Sequence, residues 1–273
     1  MALKVGDIGL RAASAFVLAP AAVLATWAGG LWFLALILLA CGLLAVEWGR
    51  MSTPGAWRGS AIAVGLALFV AVGATHVGQL SFALVMLVFG AAAAGLFMRM
   101  RGQLALNAAY GVLYLGWPVI LLIWLRDGHD KVGLHWTVLV FAVTWSADIV
   151  AYLAGSLFGG PKLWPRLSPK KTWSGFIGGL AAGMLAGGGI ALWLEMGRLN
   201  VFWGMVLGLA AALATMAGDL WESALKRRFG VKDAGTIIPG HGGLLDRVDG
   251  LMFAVVVVAA GRWLVILVER GVL

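Results

Sequence analysis

Residues 200–221 read NVFWGMVLGLAAALATMAGDLW, and residues 222–249 continue ESALKRRFGVKDAGTIIPGHGGLLDRVD. The first stretch is an apolar run close to the ~20 residues that an α-helix needs to cross the hydrocarbon of a bilayer. The second is different. Between Ser223 and Asp249 lie five of the 20 Lys and Arg residues and three of the 12 acidic ones. Charge beside hydrocarbon is expensive and tends to be kept for function. The junction of the two stretches therefore indicates a membrane-spanning helical fold and marks where chemistry is expected.

The rest of the chain agrees with that reading. It is 62% hydrophobic and 12% charged, with a mean hydropathy of +0.97, whereas soluble globular domains carry about 25% charged residues. Nine apolar spans are expected, at roughly 12–28, 31–49, 60–75, 80–98, 104–125, 133–157, 173–194, 200–221 and 250–268. The fold class is thus all-α, a polytopic helical integral membrane protein. The lone Cys41 lies in an apolar run and reads as a small core hydrophobe.

The net charge of +8 is distributed by side rather than along one nucleic-acid face. Alternating spans put 15 Lys and Arg residues on the side of the N-terminus and 4 on the other, with Arg262 inside the last span. The positive-inside rule assigns the richer side to the cytoplasm. An odd number of spans then leaves the C-terminus outside. No nucleic-acid partner is expected.

The organisation changes near residue 130. Residues 1–130 hold about five spans with short loops and little chemistry; His76 and His129 sit at span ends, as does His135 just beyond. Glu47 lies at the cytoplasmic end of its span and is expected to reach water. Residues 131–273 hold about four spans and two basic loops, 159–172 and 223–249. In spans seven and eight, Gly179, Gly183 and Gly187 and then Gly204 and Gly208 form small-residue stripes. Such stripes allow close helix approach, and a homodimer is the assembly they make natural.

Acidic residues inside spans need partners, because a central carboxylate costs about 2.5–3.5 kcal/mol on insertion scales. Asp148 lies in span six. Asp219, Glu222, Ser223 and Lys226 recur at the spacing of one helix face. Asp246 and Asp249 stand three apart before span nine. Hard cations such as Mg²⁺ take carboxylate oxygens together with substrate phosphates and water, so Asp219 and Asp246 are the expected metal ligands, with Asp249 and Asp148 beside them. Gly240-His241-Gly242-Gly243 supplies backbone amides that can face a phosphate. Lys226, Arg227, Lys232 and, from the other loop, Lys162, Lys170 and Lys171 supply positive charge for a triphosphate or a lipid phosphate. No Ser-His-Asp arrangement, catalytic cysteine or transition-metal cluster accompanies them. The set suits attack by one phosphate oxygen on another, activated phosphate, a reaction that needs alignment and charge neutralisation more than a protein nucleophile.

The pattern Ser223-x-Leu225-Lys226-Arg227-x4-Lys232-Asp233-x-Gly235-x2-Ile238-Pro239-x-His241-Gly242-Gly243-Leu244-x-Asp246-Arg247-Val248-Asp249 resembles the signature of the phosphatidate cytidylyltransferase (CDP-diglyceride synthase) family. The resemblance continues through Ser146-Ala-Asp148, Ser168-Pro-Lys-Lys171-Thr-Trp-Ser-Gly-Phe-Ile and Gly218-Asp219-Leu-Trp-Glu222-Ser223, covering roughly residues 144–255. The local departure is Pro169, ahead of Lys170, to which no role is carried over.

The resemblance implies transfer of a cytidylyl group from CTP to phosphatidic acid among membrane lipids, releasing pyrophosphate, at the cytoplasmic face of a bacterial inner membrane. It places Mg²⁺ on Asp219 and Asp246, and leaves room for a second, monovalent cation. Lys171, Lys226 and Arg247 are expected in catalysis. Ser223, Arg227, Lys232, His241, Gly242, Gly243 and Lys162 are expected at the substrates. Two rivals stand beside this reading. One is a related enzyme acting on another lipid phosphate, such as an ether lipid. The other is an ion-coupled transporter using Asp148, Asp219 and Glu222 as a relay.

Overall fold

A computed structural model describes residues 20–127, 131–165, 167–237 and 242–272. Eight helices among them are long and apolar enough to cross a membrane. They are α1 (Gly30–Ser52), α2 (Trp57–His76), α3 (Leu80–Met100), α4 (Ala105–Arg126), α5 (Lys131–Phe158), α6 (Trp173–Trp193), α7 (Val201–Arg228) and α8 (Leu245–Glu269). Residues 20–28 are helical as well; the remainder of the first expected span lies outside the described residues. Helices are what hydrocarbon demands, since each backbone N–H and C=O must find its partner within the segment.

Two departures from the expected boundaries bear on function. α7 runs unbroken to Arg228, and α8 starts at Leu245 rather than near residue 250. The charged residues at both edges of the loop therefore sit on helical turns. The other departure is β structure in the basic loop 159–172. Lys162–Trp164 (β1) and Ser168–Thr172 (β2) pair antiparallel, with Lys162 opposite Thr172 and Trp164 opposite Ser168. Two prolines, Pro161 and Pro165, keep this stretch out of a helix, and pairing the strands satisfies backbone groups that a helix would otherwise have satisfied.

The chain forms two compact units, Met1–His129 with Arg228–Val248, and Asp130–Arg227 with Asp249–Leu273. In the first, α2 packs against α1, α3 and α4, and α3 against α4. Val64, Leu68, Leu87, Leu115 and Ile120 are fully buried there. Gly116 lets the Leu87 and Leu68 side chains pack directly on the α4 backbone, where an added Cβ would have to displace them. At the end of α4, Arg126 is buried and donates from Nε to the carbonyl of Thr26 (2.6 Å) and from Nη2 to that of Trp27 (3.0 Å). Those carbonyls belong to the last turn of residues 20–28, where a helix has no internal donors left.

In the second unit, α5 and α6 form an extensive pair. Thr172 caps α6, accepting from the amide of Gly175 at 3.2 Å, the usual service of a hydroxyl at a helix start. Gly175, Gly178 and Gly179 lie against Ala151, Ala154 and Ala147 of α5, whereas Gly183 and Gly187 lie against Ala212, Gly204 and Gly208 of α7. Both glycine stripes are thus consumed in helix contacts inside the chain and offer no free face for a homodimer. α7 meets α8 through Gly218 and Gly250, each of which abuts the other helix's backbone.

Candidate active site

In the second unit the site is built on the α7–α8 contact and the hairpin. Gly250 has no side chain, which lets Asp219 Oδ1 lie only 2.9 Å from where a Cβ would project. Lys171, at the end of β2, donates from Nζ to Asp219 Oδ2. The hairpin register and the Thr172 cap put that lysine at the foot of α6, directed at α7. Asp148 is an electrostatic neighbour of Asp219 and Lys171, and Asp249 of Asp219, Glu222 and Lys226. Asp148, Lys170, Lys171 and Asp219 share the wall of a cavity of about 340 Å³, whose apolar side includes Leu163, Phe176 and Met216. A cavity with one charged corner and an apolar remainder has the chemistry of an amphiphile's headgroup region.

One turn further along α7, Glu222 is fully buried and pairs with Lys226 at 2.5 Å across an i,i+4 step. The shared helix face expected for Asp219, Glu222, Ser223 and Lys226 is realised because α7 continues to Arg228. Ser223 is half-buried, Arg227 is exposed, and Lys162 is exposed on β1.

The first unit contains Asp246 and the glycine loop. Asp246 lies in the first turn of α8. Its carboxylate accepts from the amides of Ala234 (3.1 Å to Oδ2, 3.3 Å to Oδ1) and Gly243 (3.0 Å). The loop is thereby folded back on itself around one acidic side chain. Gly242 has φ +88°, a conformation that glycine adopts without strain, and Gly243 is buried. Lys232 and Arg247 are exposed. His241 lies outside the described residues.

Glu47 requires a correction. It does not reach water: it is 0% exposed, and its two oxygens accept from the amides of Leu244 and Leu245, both at 2.8 Å. A span-end position suggested solvent, but Gly235, Gly243, Leu244 and Leu245 pack against Glu47 and cover it. Trp48 beside it stacks edge-on with Phe229 at 5.8 Å and donates to the carbonyl of Asn107 at 2.9 Å. An ionisable residue in an apolar span is a functional signal wherever it lies, and Glu47 carried that signal.

A sequence profile described as the cytidylyltransferase family matches residues 9–265. The chain belongs to that family. Family membership extends the likeness to nearly the whole chain, well beyond the 144–255 segment. Among its relatives is a phosphatidate cytidylyltransferase of Brucella abortus biovar 1 (strain 9-941), 38% identical over 263 residues, covering 91% of this chain and 90% of that protein. Proteins of the same name from Staphylococcus haemolyticus (strain JCSC1435) and Staphylococcus aureus (strain COL) are 44% and 45% identical over 121 residues, covering 44% of this chain and 46% of each relative.

Proposed function

We propose that the chain is a phosphatidate cytidylyltransferase, converting CTP and phosphatidate into CDP-diacylglycerol and pyrophosphate. Family membership supports nucleotidyl transfer, and the relatives' shared name supports the lipid acceptor. From the structure, the supporting observation is Asp219 paired with Lys171 on the wall of a part-polar, part-apolar cavity. In the reaction, an oxygen of the phosphatidate phosphate attacks the α-phosphorus of CTP. The bond from that phosphorus to the bridging oxygen breaks, and pyrophosphate leaves. The attacking oxygen is already ionised near neutral pH, so no protein base is needed.

The proposed metal is Mg²⁺, and the proposed ligands are Asp219, Asp246, Asp249 and Asp148. The donors are all carboxylate oxygens, the kind Mg²⁺ takes together with phosphate oxygens and water, rather than the Cys and His of a zinc site; among the described residues no three acidic side chains are grouped closely enough to hold an ion by themselves. Glycines leave room beside the carboxylates: Gly250 at Asp219 Oδ1, and Gly242 and Gly243 at Asp246 Oδ2. When bound, Mg²⁺ would supply charge neutralisation at the CTP phosphates. Lys171 orients Asp219 and, once phosphate arrives, offers it a positive charge. Lys226, Arg227, Lys232, Arg247 and Lys162 bind phosphate oxygens, with Ser223, His241, Gly242 and Gly243 at the substrates. A monovalent cation beside Mg²⁺ is part of the proposal.

We place the site at the cytoplasmic face of a bacterial inner membrane, with the N-terminus inside and the C-terminus in the periplasm, on the strength of the charge asymmetry. A homodimer would use a surface other than the glycine stripes. Purified protein is expected to make CDP-diacylglycerol from CTP and diacyl phosphatidate, and to stop when EDTA is added. Turnover of an ether-linked phosphatidate alone would move the substrate assignment. Ion-coupled uptake into proteoliposomes with no CTP consumption would overturn the enzyme reading.

A further inference from the structure

We propose that Glu47 is a positioning residue for the metal-binding aspartate of the glycine loop. Glu47 is on α1, and the segment it holds lies almost 200 residues later. Leu244 and Leu245 open α8, and the first amides of a helix have no partner inside it. Each is taken by one Glu47 oxygen at 2.8 Å. A negative charge there also complements the positive end of the helix dipole.

The next residue is Asp246. Its carboxylate accepts from Gly243 and Ala234, so the two acids grip the same short segment. Gly235 and Gly243 both pack on Glu47, with a Cβ at either position falling 2.6 Å and 2.9 Å from Oε1. The two glycines that pack on Glu47 are thus Gly243, whose own amide holds Asp246, and Gly235, whose neighbour Ala234 does. A carboxylate suits this task in a way that an amide side chain does not. It presents acceptors on both oxygens, whereas glutamine would turn an NH₂ toward one of two N–H donors. The expected consequence of losing Glu47 is a displaced Asp246 and a weakened hold on the divalent ion.

The inference rests on the reading of Asp246 as a metal ligand, so two readouts are needed. Full-length protein in lipid nanodiscs is compared with E47Q and E47D by amide hydrogen exchange across residues 242–250 and by Mg²⁺ titration of CDP-diacylglycerol formation. In the wild type the Leu244 and Leu245 amides should be protected. In E47Q they should exchange about 10-fold faster or more, the scale set by one hydrogen bond to a charged acceptor. Half-saturating Mg²⁺ should rise by a similar factor while the KM for phosphatidate holds. E47D keeps the charge but shortens the reach, and should behave like E47Q.

Unprotected amides at Leu244 and Leu245 in the wild type would overturn the positioning role, whether or not the variants fold. So would an E47Q protein with wild-type Mg²⁺ dependence, or one losing rate only in step with its folded fraction. A wild type that protects these amides yet makes no product would instead overturn the functional assignment.

Discussion

Lys171 and Asp219 form an ion pair between the end of the hairpin and α7, 48 residues apart in sequence. Both side chains retain some access to solvent, and both line the cavity. In the proposed reaction, an arriving phosphate would compete for the lysine and an arriving cation for the aspartate. The lysine is carried by the second strand of the two-stranded hairpin. A short rigid ribbon aims one lysine more narrowly than a loop does.

Asp219→Asn and Lys171→Met should each lower kcat by about 10²–10³-fold, as loss of a preorganised charged group does. The double variant should be less impaired than the product of the two losses, because contacting residues couple by about 0.5–3 kcal/mol. Steady-state kinetics on the four proteins tests this. Strict multiplication would mean that the two side chains act independently.

Chelation should abolish turnover, and Mg²⁺ should restore it. Calcium, which is larger and tolerates looser coordination, should restore it poorly. Asp246→Asn should raise half-saturating Mg²⁺ by an order of magnitude or more. Metal-independent turnover by the wild type after EDTA and gel filtration would remove Mg²⁺ from the reaction.

Gly187→Val should destabilise the second unit. A Cβ there would strike the carbonyl of Gly204 and come within 2.7 Å of the Gly208 Cα. Overpacking of this kind costs about 1–3 kcal/mol. A lowered thermal midpoint in detergent is the expected result, with residual activity following the folded fraction. Gly189, whose Cβ would meet open space, is the control: Gly189→Ala should not lower the thermal midpoint, because alanine is the better helix former.

Gly243→Ala should cost activity beyond what its loss of stability explains. Its Cβ would sit 2.8 Å from the Gly235 amide, 2.9 Å from Glu47 Oε1 and 3.0 Å from Asp246 Oδ2. The loop must shift to admit it, and Asp246 shifts with the loop. Unchanged kcat with a normal Mg²⁺ response would mean that the glycine serves the turn alone.

Much of this was present in the order of residues. Apolar length is a one-dimensional property, so the spans could be read directly. α3, expected at 80–98, occupies Leu80–Met100, and α6, expected at 173–194, occupies Trp173–Trp193. The i,i+4 pairing of Glu222 with Lys226 is likewise local, fixed once a helix is granted. Lys171, Asp219 and Asp246 were marked by charge at the edge of hydrocarbon, where charge is costly.

Tertiary structure decided which of these groups touch. Whether Glu47 meets water or the amides of Leu244 and Leu245 depends on where a distant loop packs, and hydropathy along α1 carries no trace of it. The same holds for the glycines. Sequence marked the stripes on α6 and α7 as contact surfaces, but only packing showed that the α6 stripe is divided between α5 and α7. The physical reason is common to both. The bilayer acts on each segment separately and selects for apolar helices, whereas buried polar groups and close-packed glycines are satisfied only by partners that the fold brings from elsewhere in the chain.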